Sequence, residues 1–134
     1  MKDKYLVVIA GPTASGKTAT AIKVAKALGT EIISADSRQF YKELPIGTAA
    51  PTKDEQSEVQ HHMIHNLNVE DKYDVADYEQ DVLNLLNQLF VNHDTVVLTG
   101  GSGLFIDAVC KCCTHRWISR GYCIAMNCTW FFFI

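Results

Sequence analysis

Residues 5–18 read Tyr-Leu-Val-Val-Ile-Ala-Gly-Pro-Thr-Ala-Ser-Gly-Lys-Thr, and this stretch decides the fold. Its first part, Leu6 to Ile9, is an unbroken apolar run rich in β-branched residues and bounded by Gly11 and Pro12. Such a run suits a strand covered on both faces, as in a parallel sheet. Its second part, Gly11-Pro12-Thr13-Ala14-Ser15-Gly16-Lys17-Thr18, has the spacing G-x-x-x-x-G-K-[ST] of a phosphate loop, placed between a strand and a helix start. Glycines at 11 and 16 let the backbone curl so that successive N–H groups point at phosphate oxygens, helped by the positive end of the helix. Lys17 adds a full positive charge, and the Thr18 hydroxyl can ligate Mg2+, the expected cofactor. A polyphosphate ligand follows. The loop does not say which polyphosphate, or whether phosphorus or carbon is attacked.

Working outward, residues 18–28 carry Ala21, Ile22, Val24, Ala25 and Leu28 at helical spacing, with Gly29 as the stop. Ile32 and Ile33 form a second short strand that ends at Ser34-Ala35-Asp36. From Ser37 to Pro51 the chain has Pro45, Gly47 and Pro51 and little periodicity, which reads as a long functional loop, followed by a polar helical turn around Lys53 to Val59. Met63 and Ile64 are expected at the centre of a strand. An amphipathic helix is predicted over 75–90, with Tyr78, Val82, Leu85, Leu86 and Leu89 on one face and Asp74 as its cap. Thr95 to Thr99 is another buried strand, and Gly100-Gly101-Ser102-Gly103 turns into the apolar segment 104–109. The order β-α-β-loop-α-β-α implies an α/β fold, a P-loop NTPase-like parallel sheet covered by helices, with ligands at the carboxyl ends of the strands.

The chain has 134 residues, 48% hydrophobic and 20% charged, enough apolar mass for one small domain with a core. No apolar run approaches the ~18 residues of a membrane span, so a membrane protein or secreted precursor is not expected and a cytoplasmic location is. The first 111 residues hold fifteen acidic and ten basic side chains, a net charge of −5, and the last 23 carry +2 from Arg116 and Arg120. Gripping nucleic acid needs Lys and Arg against phosphates, so this body by itself is a poor RNA-binding surface. All five cysteines lie at or after Cys110, with both tryptophans and the run Phe131-Phe132-Phe133. The odd count and the absence of cysteine earlier speak against a disulfide framework, and the spacings Cys-x-Cys-Cys and Cys-x4-Cys do not favour zinc. Residues 112–134 show no apolar period, no acidic residue and no proline. Residues 1–111 are therefore expected to form the domain, and 112–134 to be an anomalous tail read out of frame.

Asp36 stands where the phosphate loop opens, and a carboxylate there can serve as general base or hold a metal through water. Ser102 brings a hydroxyl to the same edge, suited to an anionic oxygen or to capping the helix that follows. His61 and His65 are four apart, but H-E-x-x-H lacks its glutamate here, so hydrogen-bonded structural histidines are expected rather than a zinc site.

Taken together, Gly-Pro-Thr-Ala-Ser-Gly-Lys-Thr at 11–18, Ser-Ala-Asp-Ser-Arg-Gln-Phe-Tyr at 34–41, Ile-Gly-Thr-Ala at 46–49, His61-His62 and Leu-Thr-Gly-Gly-Ser-Gly-Leu at 98–104 closely resemble the bacterial tRNA dimethylallyltransferase family. The resemblance runs from about Tyr5 to Lys111. It implies transfer of a dimethylallyl group from dimethylallyl diphosphate to N6 of an adenosine beside the anticodon of tRNA, so that carbon is attacked. The loop at 11–18 would hold the diphosphate with Mg2+, through Lys17 and Thr18. Asp36 matches the catalytic aspartate that takes a proton from the adenine amine, and Asp36, Ser37, Arg38 and Gln39 match a tRNA-contacting stretch. Ser102 falls where the family often has threonine and would hydrogen-bond near the bridging oxygen of the diphosphate. Gln60 and His65 depart from the proline and aspartate usual beside the histidine pair. Beyond Lys111 the resemblance ends, so the fold is expected to be incomplete, the protein monomeric, and tRNA prenylation by the 134-residue chain slight or absent. Two other readings stand beside this one: a small P-loop kinase of nucleosides or metabolites, with Asp36 deprotonating a hydroxyl acceptor, and an inactive polyphosphate-binding fragment.

Overall fold

The computed structural model describes residues 4–11, 16–36, 51–64, 68, 70, 72–116 and 123–125. Five parallel strands, β1 (Tyr5–Ala10), β2 (Ile32–Ser34), β3 (His61–His62), β4 (Thr95–Gly100) and β5 (Cys123–Ala125), form one sheet in the order β3-β2-β4-β1-β5. Among the described residues, four helices join them: α1 (Lys17–Leu28), α2 (Lys53–Glu58), α3 (Val75–Asn92) and α4 (Gly103–Arg116). In register, Leu6 pairs with Val96, Val8 with Leu98, and Ile33 with Leu98 from the other side.

The period of two along each strand sends alternate side chains to opposite faces, and both faces are apolar. Leu6, Val8, Ile33, Val96 and Leu98 pack with Tyr78, Val82, Leu83, Leu86 and Leu89 of α3 and with Ile106 and Val109 of α4. Val7, Ile9, Ile32 and Val97 pack on Ala21, Ile22 and Ala25 of α1, together with Val59. Coverage on both sides is why these strands read as unbroken apolar runs. Each fully buried Val, Leu or Ile contributes roughly 1.5–3 kcal/mol, so the two apolar faces dominate the fold.

Gly16 and Gly29 bound α1 because both hold left-handed backbone, at φ 80° and 63°. At the far end the Gly29 N–H bonds the Lys26 carbonyl and the Thr30 N–H bonds that of Ala25, satisfying carbonyls the helix leaves unpaired. The expected stripe is corrected at its edge: Leu28, in the last turn, is 49% exposed, because the chain turns away at Gly29.

α3 starts where Asp74 predicts. The Asp74 carboxylate accepts from the Asp77 N–H at 3.0 Å and the Asp77 carboxylate from the Asp74 N–H at 3.1 Å, a reciprocal capping box. The helix runs on to Asn92, and Leu83 is buried in the place expected for Leu85, which is only partly covered. Tyr78, fully buried, donates its hydroxyl to the Ser34 carbonyl at 2.7 Å and meets the Phe105 ring edge-on at 4.7 Å. Its phenol pKa is pushed up, chiefly by burial, so it stays a neutral donor. Tyr78→Phe keeps the ring and loses the bond that ties α3 to the end of β2. It is expected to lower unfolding stability by about 1 kcal/mol, read from the urea midpoint; an unchanged midpoint would show that the bond contributes nothing.

One expectation about strands is corrected. Met63 and Ile64 are not strand residues: β3 is His61–His62, and Met63 has φ 62°, so the chain turns there. β2 is only three residues long and offers β3 just two pairing positions, at Ile32 and Ile33. The chain also continues in regular structure through Lys111. α4 crosses that position and ends at Arg116, where the sequence Cys-Lys-Cys-Cys-Thr-His-Arg has no glycine or proline to stop it. Cys123–Ala125 then lines up along Leu6, Val7 and Val8 as β5.

Candidate functional site

Because the strands are parallel, the ends of β1, β2 and β4 open on one edge of the sheet. Three chain segments converge there: Gly11 after β1, Ala35 and Asp36 after β2, and Gly100 and Gly101 at the end of β4. The Ala35 N–H donates to the Thr99 carbonyl at 2.7 Å, and the Ser102 N–H donates to the Ala35 carbonyl at 3.3 Å. These bonds draw the two turns so close that a Cβ on Gly100 would lie 2.5 Å from the carbonyl carbon and oxygen of Ala35. A Cβ on Gly101 would lie 3.4 Å from the Gly11 oxygen and 3.8 Å from Asp36 Oδ2. Gly101 thus sits between the start of the phosphate loop and the Asp36 carboxylate.

Lys17 and Thr18, at the start of α1, line a cavity at this edge together with Ser34, Pro51, His61, Ile64, Thr99 and Gly100. Of the residues singled out from the sequence, Gly11, Gly16, Lys17, Thr18, Asp36 and Ser102 are placed at or beside this edge. Asp36 and Ser102 do not line the cavity: Asp36 lies against Gly101, and Ser102 immediately precedes α4, its carbonyl accepting from the Ile106 N–H at 3.1 Å. That is the backbone arrangement of a helix cap. Pro12, Thr13, Ala14 and Ser15 of the loop, and Ser37, Arg38 and Gln39 of the stretch matched to tRNA contact, lie outside the described residues, as do Ile46, Gly47, Thr48, Ala49 and His65.

The cavity adds residues that sequence reading did not assign to it. His61 Nδ1 is 2.7 Å from the Val59 carbonyl, which can only accept, so the ring carries its proton on Nδ1. Burial, the largest influence, holds the His61 pKa below the ordinary histidine value, which favours the neutral ring. His62 Nε2 lies 2.8 Å from the Glu31 carboxylate, just before β2. Among the described residues, no group of three or more His, Cys, Asp or Glu could hold a metal directly. Among the cavity residues, the Thr18 hydroxyl would offer a divalent cation one oxygen ligand, which fits an ion bound mainly through phosphate and water. No helix among the described residues is long and apolar enough to cross a membrane.

A phosphate-loop sequence following β1, an inner strand of a parallel, helix-covered sheet, defines the P-loop NTPase-like class of α/β folds. The sequence profile of the IPP transferase family matches residues 39–118, and the chain belongs to that family. A tRNA dimethylallyltransferase of Bacteroides thetaiotaomicron is 50% identical over 106 residues, which cover 79% of this chain and 34% of that protein. One from Christiangramia forsetii is 53% identical over 107 residues, covering 80% and 35%. Among solved structures, the tRNA isopentenylpyrophosphate transferase of Bacillus halodurans superposes with a TM-score of 0.76 at 39% identity, over 80% of this chain and 35% of that one. A eukaryotic dimethylallyltransferase acting on tRNA gives 0.74 at 26% identity, over 80% and 26%. The chain therefore spans about a third of the length of the curated relatives it matches.

Proposed function

We propose that this chain carries the diphosphate-binding part of a tRNA dimethylallyltransferase, which moves a dimethylallyl group from dimethylallyl diphosphate to N6 of an adenosine next to the anticodon. The observation that supports this most is the convergence of Gly11, Asp36 and Gly101 beside the cavity that Lys17 and Thr18 line. Backbone N–H groups of the loop at 11–18, Pro12 excepted, and the Lys17 ammonium hold the diphosphate, stabilising the charge that grows as the allylic C–O bond breaks. The Thr18 hydroxyl would hold Mg2+, which when bound would add to the neutralisation of that charge. The adenine amine forms the new C–N bond, and Asp36 takes its proton. The Ser102 hydroxyl hydrogen-bonds near the bridging oxygen, and Ser37, Arg38 and Gln39 contact the tRNA. We place the protein in the cytoplasm as a monomer, with tRNA and dimethylallyl diphosphate as partners and no membrane contact.

The donor step is testable on the chain as it stands. Titrated by calorimetry in the presence of Mg2+, dimethylallyl diphosphate is expected to bind at least about 10-fold tighter than ATP, a difference of about 1.4 kcal/mol. Preference for ATP, with phosphate passed to a nucleoside or metabolite hydroxyl, would replace this reading by that of a P-loop kinase.

A further inference from the structure

Two buried polar atoms beside the start of α1 have no hydrogen-bond partner among the described residues: Nε2 of His61 and Oγ1 of Thr99. They belong to β3 and β4, on either side of β2, and both residues line the cavity that holds Lys17 and Thr18. An unsatisfied buried polar group costs about 1–3 kcal/mol, so a pair of them at one cavity asks for a partner that arrives there. Bulk solvent does not reach either atom, so a partner would have to arrive with a ligand.

The chemistry of the two atoms narrows what the partner is. With its proton on Nδ1, bonded to the Val59 carbonyl, His61 presents a bare lone pair at Nε2 and needs a donor. The oxygens of a diphosphate ester near neutral pH are mainly deprotonated acceptors and cannot fill that need. Thr99 can accept or donate. In the reading proposed above, on which this inference rests, the Lys17 ammonium and Thr18 hydroxyl are engaged by phosphate and cation. A hard divalent cation bound by one protein hydroxyl and phosphate oxygens keeps several of its waters, and each water is a donor. The lack of a direct metal-binding cluster among the described residues agrees with a site that grips a hydrated ion from outside.

We propose that His61 Nε2 and Thr99 Oγ1 accept hydrogen bonds from waters coordinated to the divalent cation that accompanies the diphosphate, so that β3 and β4 recognise the hydrated ion. His61 and Thr99 are thus positioning residues, acting on the cation's water rather than on the reacting atoms.

The test is binding of inorganic diphosphate to the 134-residue chain, with and without Mg2+, for the unsubstituted protein, His61→Ala and Thr99→Val. Each substitution is expected to weaken binding about 10-fold with Mg2+ and to leave it unchanged without. Equal weakening in both conditions would mean direct phosphate contact, and no weakening in either would mean a purely structural role; each overturns the proposal. A second measurement needs no variant. In long-range proton–nitrogen correlation spectra of the unsubstituted chain, the His61 Nε2 resonance is expected to move on adding Mg2+ with diphosphate and to stay in place with diphosphate alone. No movement, or movement with diphosphate alone, overturns the proposal. If the unsubstituted chain binds diphosphate in neither condition, the proposed function fails and this inference with it. Binding that ignores residues 61 and 99 removes this inference alone.

Discussion

Gly100→Ala is expected to unfold the protein or leave it barely stable, at a cost of about 3–5 kcal/mol, a large part of the 5–15 kcal/mol that holds a typical domain. The added methyl would lie 2.5 Å from the Ala35 backbone, and backbone cannot swing aside as a side chain can. Relief requires β4 and β2 to part at their carboxyl ends. That breaks the bonds from Ala35 N–H to Thr99 and from Ser102 N–H to Ala35, about 1 kcal/mol each, on top of about 1–3 kcal/mol for overpacking. The fault is one of space, since Gly100 does not have positive φ. Gly103→Ala is the control: nothing lies within 4 Å of its Cβ position and it too lacks positive φ. Its urea midpoint should stay close to that of the unsubstituted chain, while that of Gly100→Ala falls steeply. Equal midpoints for the two would refute the close approach of β2 and β4.

Lys17→Ala is expected to weaken dimethylallyl diphosphate binding about 10- to 100-fold while leaving stability nearly unchanged. A charge-assisted hydrogen bond to an ionised group contributes about 1.5–3 kcal/mol, and each 1.4 kcal/mol is a factor of ten. Lys17 is part-exposed and lines the cavity, so its removal empties no core position. The Gly16 turn and the α1 backbone, which give the loop its shape, stay in place. The affinity that remains should also depend less on salt, because one full charge has been removed from the site. Calorimetric titration at two ionic strengths checks both effects. An unchanged affinity would move the diphosphate away from residues 11–18.

The pieces of the fold with a local signal were legible before the structure. β1, α1 and β4 announce themselves by apolar runs and glycines, and α3 by its stripe and Asp74. Strand β3 had no such signal. Two histidines do not read as a strand, and their pairing is supplied by Ile32 and Ile33, far away in the chain. The extent of α4 past Lys111 was hidden for the opposite reason: helix hydrogen bonds form within the segment and need no apolar period. At the candidate site, residues 11–18 and Asp36 were visible as a motif and a strand end. The need for glycine at 100 was not, because it arises from the Ala35 backbone on another strand. Likewise His61 was read as a structural histidine and Thr99 as the end of a buried strand. Their unpartnered atoms become apparent only when β3 and β4 are brought to one cavity.

Strand β4 lies between β1 and β2 and pairs with both, although it comes after them in the chain. The two earliest strands thus have no direct contact in the sheet and cannot zip together as they leave the ribosome. Contacts between residues distant in sequence form slowly, since the intervening chain must first give up its freedom. The middle strand is the last of the three to be made, and its arrival sets the order of assembly. Until residues 95–100 are synthesised, the segment after β1 is a glycine-containing stretch with no fixed neighbour. A nascent chain halted before that point would carry the whole phosphate-loop sequence and none of its grip.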